Sequence, residues 1–226
     1  RMNNRVMRSV STKQLSIANT AKKYPQEALT VLHPNLDEHW LWEASNRVRK
    51  DSASGVDKQS ASDYEEGKGE RLKTLLGKAK DGSYHAPPVK RVYIPKGNGE
   101  DRGIGIPTYE DKILQRSIVM LLEPIYEEEF HDFSFGFRPG KSPHHALEYL
   151  LKQCYDQEVA YILDVDVRKY FDTIEHGHLR EILDARVRDG VLRGLIDKWL
   201  KAGVLEEGRI YRPETGSLQG GVISPL

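Results

Sequence analysis

Apolar residues recur at helical spacing through the first fifty positions. Leu15 and Ile17 with Ala18, then Ala28, Leu29 and Leu32, then Leu36, Trp40, Leu41, Ala44 and Val48 form stripes that Pro25 and Pro34 divide into three predicted helices. Trp40 and Trp42 belong to such a stripe and read as core positions, Trp42 with the better claim to stack on a base. A turn-rich loop, Asp51 to Asp57, is followed by a polar helical stretch to Lys80. The period then changes. Val89 to Pro95 alternates as a strand does, Gly97-Asn98-Gly99 signals a hairpin turn, and Arg102 to Pro107 returns.

Thr108 is placed to cap a helix with core positions Ile113, Leu114, Ile118, Leu121 and Leu122, which Pro124 is expected to interrupt. Glu127, Glu128 and Glu129 point in different directions on a helix and read as a solvated face. Ser142-Pro143 starts another helix, whose predicted apolar face is Ala146, Leu147, Leu150, Leu151 and Cys154. His144 and His145 on it diverge too far to hold one ion. Leu179 to Leu183 and Val191 to Leu200 predict two further helices, the second ending near Gly203. Val204 to Tyr211 predicts a hairpin turning at Glu207-Gly208.

The most informative stretch lies between these helices. Val159, Tyr161, Ile162, Leu163, Val165 and Val167 have the β-branched, apolar character of a buried strand, yet Asp164 and Asp166 interrupt it. Alternation puts the two acids on one face. A buried carboxylate costs several kcal/mol, on the order of a whole domain's margin, unless it is paired or holds a cation. Tyr170 and Phe171 follow, then Asp172 and a polar helix start. A carboxylate, a metal ion and a bulky aromatic are what a nucleotidyl-transfer site requires: an ion for phosphate oxygens and a wall against which the sugar is judged.

Composition narrows the setting. A chain of 226 residues buries a real core. Lys+Arg 34 balances Asp+Glu 34, so any basic footprint must be local. The single Cys154 forms no intramolecular disulfide, and no apolar run reaches membrane length, so the chain reads as cytoplasmic, without a membrane partner. Arg1 ahead of Met2, and a last residue, Leu226, inside a loop leading into a helix, read as a fragment. Lys90, Arg91, Lys96 and Arg102 give the first hairpin a basic edge suited to triphosphate. Phe133 to Lys141 mixes aromatics with Arg138 and Lys141, suited to stacking and phosphate contact, and Gln219 sits among glycines that let backbone approach a ligand.

These stretches carry a resemblance. Tyr161 to His176 resembles the first catalytic motif of reverse transcriptases, and Asp166-Val-Arg-Lys-Tyr-Phe-Asp-Thr-Ile-Glu-His176 resembles the group II intron-encoded, maturase-type branch. Ile94-Pro95-Lys96, Arg102, Gly105-Ile-Pro-Thr108 and Asp111-Lys-Ile-Leu-Gln115 are similar to that family's fingers motif, with Gly103 where Pro is common. Ser134-Phe-Gly-Phe-Arg-Pro-Gly140 resembles its Ser-Tyr-Gly-Phe-Arg-Pro-Gly, with Phe135 for Tyr. Gln219-Gly-Gly-Val-Ile-Ser-Pro-Leu226 resembles its glycine-rich motif, with Leu218 for Pro. Asp51 to Asp57 is similar to the stretch that precedes its fingers.

The resemblance implies an α+β fold, the fingers with a partial palm of a right-hand polymerase, truncated before the second catalytic aspartate motif, its sheet of the split ferredoxin-like kind. It implies three parts: an N-terminal helical extension and fingers helices over 1–88, the basic hairpin and helices over 89–156, and a partial palm with the first catalytic strand and the Gln-Gly-Gly loop over 157–226. By the same likeness Asp166 is catalytic and binds Mg2+ together with the backbone carbonyl of Val167. Lys96 and Arg102, with Lys90, hold the incoming nucleotide's phosphates, and Phe171 excludes a ribose 2′-hydroxyl. Gln219 contacts the nucleotide and Arg138 the template. Asp164 and Asp172 are read as solvated or hydrogen-bonded. The implied partners are intron RNA, an RNA template, a DNA primer and dNTP substrates. The activity implied is RNA-directed DNA polymerisation by the full-length protein, with the fragment alone inactive and expected either to self-associate as a homo-oligomer or to be locally disordered near Leu226. The alternatives are a maturase-only RNA-binding module and an RNA-templated RNA polymerase.

Overall fold

The structure is a computed structural model that describes residues 2–226 apart from 96, 98, 100, 213, 214, 218, 219, 225 and 226, with backbone alone for 2–8. In chain order the helices and strands are α1 (Met2–Lys23), α2 (Glu38–Arg47), α3 (Ala61–Glu65), α4 (Lys68–Asp81), β1 (Val89–Pro95), β2 (Asp101–Ile106), α5 (Tyr109–Tyr126), α6 (Pro143–Asp156), α7 (Tyr170–Thr173), α8 (His176–Arg186), α9 (Gly190–Lys201), β3 (Val204–Glu206) and β4 (Arg209–Tyr211). One α+β body results.

Helix α5 is its spine. Thr108 caps it as expected, its side chain accepting the Asp111 amide at 3.2 Å. Ile113, Leu114, Ile118, Leu121 and Leu122 are all buried beneath α1 and α2. Trp40 is a core residue whose indole N–H donates to the Ser117 carbonyl at 2.9 Å, while Lys68 lies 4.7 Å over the half-exposed Trp42 ring. The expected break at Pro124 does not occur, and the helix continues to Tyr126. Proline removes the N–H that would bond the carbonyl one turn earlier, at Met120. Gln14 Nε2 from α1 donates to that oxygen at 3.0 Å, so nothing is left unsatisfied.

The N-terminal region holds two helices rather than three. Between Pro25 and Pro34 no helix forms, and only a 3₁₀ turn, His33–Asn35, spans the second proline. The intervening backbone pairs instead with a distant segment: the Leu29 amide donates to Arg186 O at 2.8 Å and the Arg188 amide to Leu29 O at 2.9 Å. Arg186, buried, also donates to the carbonyls of Ala21 in the last turn of α1 and of Tyr24 and Glu27 beyond it. A single buried apolar cluster consequently runs from Val10 to Trp199.

The sheet joins two hairpins in the order β2-β1-β3-β4, antiparallel within each hairpin, with β1 and β3 parallel through Val89↔Val204 and Lys90↔Leu205. Both hairpins match the sequence expectation. The strand expected over Tyr161–Val167 is not formed. That segment is extended and exposed, Tyr161 at 92% and Leu163 at 87%, and it lies outside the sheet. A strand exists only by pairing, and none of the described residues pairs with this segment. The same absence of cover exposes the expected apolar face of α6, with Leu147, Leu150 and Leu151 facing solvent and Cys154 half-buried. Among the described residues no helix is long and apolar enough to cross a membrane.

Candidate functional site

The chain reverses direction at Lys169, a non-glycine residue in the left-handed region (φ 52°), and enters the short helix α7. That turn carries Phe171 inward. Its carbonyl accepts the Ser217 amide at 2.7 Å, the Ile174 carbonyl accepts the Gly216 amide at 2.7 Å, and His176 Nε2 lies 2.7 Å from Gly216 O. Gly216 (φ +91°) is required there, because a Cβ would meet the Phe171 and Asp172 carbonyls at 3.0 Å. Phe171 and the start of the glycine-rich loop therefore form one unit. They line a cavity of about 510 Å³ together with Arg91, Gly103, Gln115 and Gly221.

Strand register decides which cations face this cavity. Lys90 pairs with Ile106 and Arg102 with Ile94, so alternation places Lys90 and Arg102 on one face of the hairpin and Arg91 with Gly103 on the other. Arg91 is the cation in the wall beside Phe171. Its side chain crosses Gly103, where a Cβ would stand 2.9 Å from Nη1, so the glycine in place of the family's proline makes room for it. The buried Nε of Arg91 has no hydrogen-bond partner among the described residues. Lys90 and Arg102 are exposed, share a face, and do not line the cavity. Lys96 and Gln219 lie outside the described residues.

Asp166 and Val167 are exposed on the extended segment and do not line the cavity either. No ion pair of Asp166 occurs among the described residues, and no three His, Cys, Asp or Glu side chains converge there on a metal position. A free carboxylate and a backbone carbonyl are hard oxygen donors of the kind a divalent ion takes, and they fit in kind but not in number. Asp164 and Asp172 are likewise exposed.

Arg138 is committed to hydrogen bonds inside the protein. Nε and Nη2 bond the Glu127 carboxylate at 3.0–3.3 Å, Nη1 donates to the His131 and Ser134 carbonyls at 2.8 Å, and the guanidinium sits 5.1 Å over the Phe130 ring. With its side chain only 8% exposed, most of its donors are engaged in holding the 131–138 loop. In the acidic run Glu128 and Glu129 are exposed, as a solvated face requires, while Glu127 is half-buried against Arg138 and Glu129 also pairs with Arg186 at 2.8 Å.

A polar cluster that the sequence reading did not single out closes the cavity's inner wall. Asp111, 2% exposed, accepts from Tyr84 Oη, from Trp199 Nε1 at 2.6 Å and from Gln115 Nε2 at 3.3 Å. Burial pushes its carboxyl up to about 6 against the pull of these three donors, and burial beside Asp111 raises the Tyr84 hydroxyl. The signal was present in the sequence as two polar residues one turn apart on the helix face that continues as Ile118 and Leu122. The Asp51–Asp57 loop is anchored nearby. Gly55 abuts the backbone of Pro107 and Thr108, and buried Lys112 donates to Ser52 Oγ and the Ala53 carbonyl.

Residues 94–226 match the family described as reverse transcriptase (RNA-dependent DNA polymerase). The chain belongs to that family, and its fold is a partial fingers and palm. Similar proteins include Protein YkfC of Escherichia coli (strain K12), 40% identical over 69% of this chain and 42% of that protein, and the group II intron-encoded protein LtrA of Lactococcus lactis, 36% identical over 77% of this chain and 28% of LtrA. The putative COX1/OXI3 intron 2 protein of Saccharomyces cerevisiae is 39% identical over 62% of this chain and 16% of that protein. The chain thus spans less than half the length of these relatives.

Proposed function

We propose that this chain supplies the fingers and part of the palm of a group II intron-type RNA-directed DNA polymerase, which also binds its intron RNA to assist splicing. The observation that carries the reading is the pinning of the Phe171–Ile174 turn to Ser217 and Gly216 within one cavity walled by Arg91. In this arrangement the aromatic edge meets the sugar, Arg91 attracts the triphosphate from the cavity wall, and Lys90, Arg102 and Lys96 serve the same phosphates. Gln219 contacts the nucleotide, and Arg138 serves the template through the aromatic loop it holds. The segments 1–88, 89–156 and 157–226 act as helical extension, fingers and partial palm.

The reverse transcriptase family uses divalent metal ions. We assign Mg2+ to Asp166 and the Val167 carbonyl, with further carboxylates to complete the set; when bound, the ion neutralises charge on the phosphoryl oxygens. An RNA template, a DNA primer and dNTPs are the substrates of this reading. The test uses the full-length protein: template-dependent dNTP incorporation, abolished by Asp166→Ala with RNA binding intact. Incorporation that survives Asp166→Ala overturns the assignment.

A further inference from the structure

The glycine-rich loop is attached to the body at two ends. At Gly216 and Ser217 it bonds the Phe171 turn. Beyond Gln219 it meets α5: the Val222 amide donates to Gln115 Oε1 at 3.0 Å, and Gly220 (φ +101°) presses so closely on β2 that a Cβ would lie 2.3 Å from Ile104 Cγ2. Gln115 is 4% exposed and stands one helical turn from Asp111, to which its Nε2 donates at 3.3 Å. Both ends of this amide are therefore in use, one as donor and one as acceptor. Asp111 orients it, because a carboxylate accepts only and forces Gln115 to present its oxygen to Val222.

We propose that Gln115, oriented by Asp111, is a positioning residue that sets the Gly220–Val222 stretch of the glycine-rich loop against the nucleotide cavity. The proposal rests on the polymerase reading for its consequence, and on the hydrogen-bond polarity alone for its structure. Polarity makes it testable by exchange. In Asp111→Asn, the retained oxygen still accepts from Tyr84 and Trp199, so the new amide faces Gln115. Gln115 must then turn its oxygen to it and its NH2 toward the Val222 N–H, donor against donor. In Gln115→Glu, two carboxylates confront each other. Combining the two substitutions restores every pairing: the new amide at position 111 donates to the new carboxylate at position 115, which also accepts from the Val222 N–H.

Hydrogen exchange at the Val222 amide reads the hold directly, without catalysis. Asp111→Asn should accelerate it about tenfold, and the double variant should return it close to the wild-type rate, with thermal midpoints checking that each folds. In the full-length protein the same pair should raise, then restore, KM for dNTP by about tenfold with kcat little changed. If Asp111→Asn does not fold, Gln115→Met carries the test with the same expected acceleration. Unchanged Val222 exchange in the folded single variants, or a folded double variant that fails to restore it, overturns the proposal. A wild-type protein that does not polymerise while the exchange pattern holds would overturn the function and leave the loop's support standing.

Discussion

Asp189 Oδ2 accepts the Leu32 amide at 2.6 Å, joining residues 157 positions apart in the sequence. The same oxygen accepts the His33 amide at 2.8 Å, while Oδ1 caps α9 through Val191 and Leu192. One buried carboxylate thus ends a 3₁₀ turn's approach and begins a helix. Burial by itself would raise its pKa, and the hydrogen bonds from the His33 and Leu32 amides outweigh that and hold it below the usual carboxylate range.

Asp189→Asn should cost about 2–3 kcal/mol, because the amide's NH2 must face donors it cannot accept. Urea denaturation near pH 7 measures the loss. The depressed pKa adds a sign: stability from this group is present above about pH 4, the unfolded value, and disappears as pH falls through its lower folded value. The gap between wild type and Asp189→Asn should narrow on acidification.

Asp111 should behave in the opposite sense. Its folded pKa of about 6 lies above the ordinary 3.8, so the native state holds the proton more tightly. Its contribution is greatest below about pH 4 and is lost as pH rises through about 6, by up to about 3 kcal/mol. Glu110, whose charge also raises it, and Tyr84, whose hydroxyl is raised out of this range, are the neighbours to consider. Melts of wild type and Asp111→Asn between pH 4 and 7.5 should diverge with this slope, and parallel curves would refute it.

Gln14 matters only because Pro124 is where it is. Gln14→Ala should cost about 1–2 kcal/mol by leaving the Met120 carbonyl unsatisfied. In a Pro124→Ala background the helix supplies its own donor, so the same substitution should cost less than half as much. A double-mutant cycle by chemical denaturation measures the difference.

Phe171→Ala should admit ribonucleotides. Removing the aromatic edge is expected to lower discrimination between dNTP and rNTP by about 10–100-fold in kcat/KM in the full-length protein, with dNTP incorporation retained. Unaltered discrimination would show that the side chain facing this cavity does not judge the sugar.

Local chemistry determined much of this protein by itself. Thr108, Ser142 and Pro143 begin their helices where capping preferences say they should, both hairpins turn at their glycines, and the order of motifs defines the family. These outcomes depend on neighbours a few residues away, which a sequence displays. Tertiary structure alone decided the rest. The 161–167 segment has every strand preference and makes no strand, because pairing needs a second edge. Pro124 stays helical because of a glutamine on another helix. Arg138 and Glu127, with nothing in the sequence to pair them, satisfy one another, and Gln115 finds Val222 at a separation of 107 residues. Charges and hydrogen bonds act over a few ångströms in space, so which partner consumes a polar group is settled only when the chain has folded.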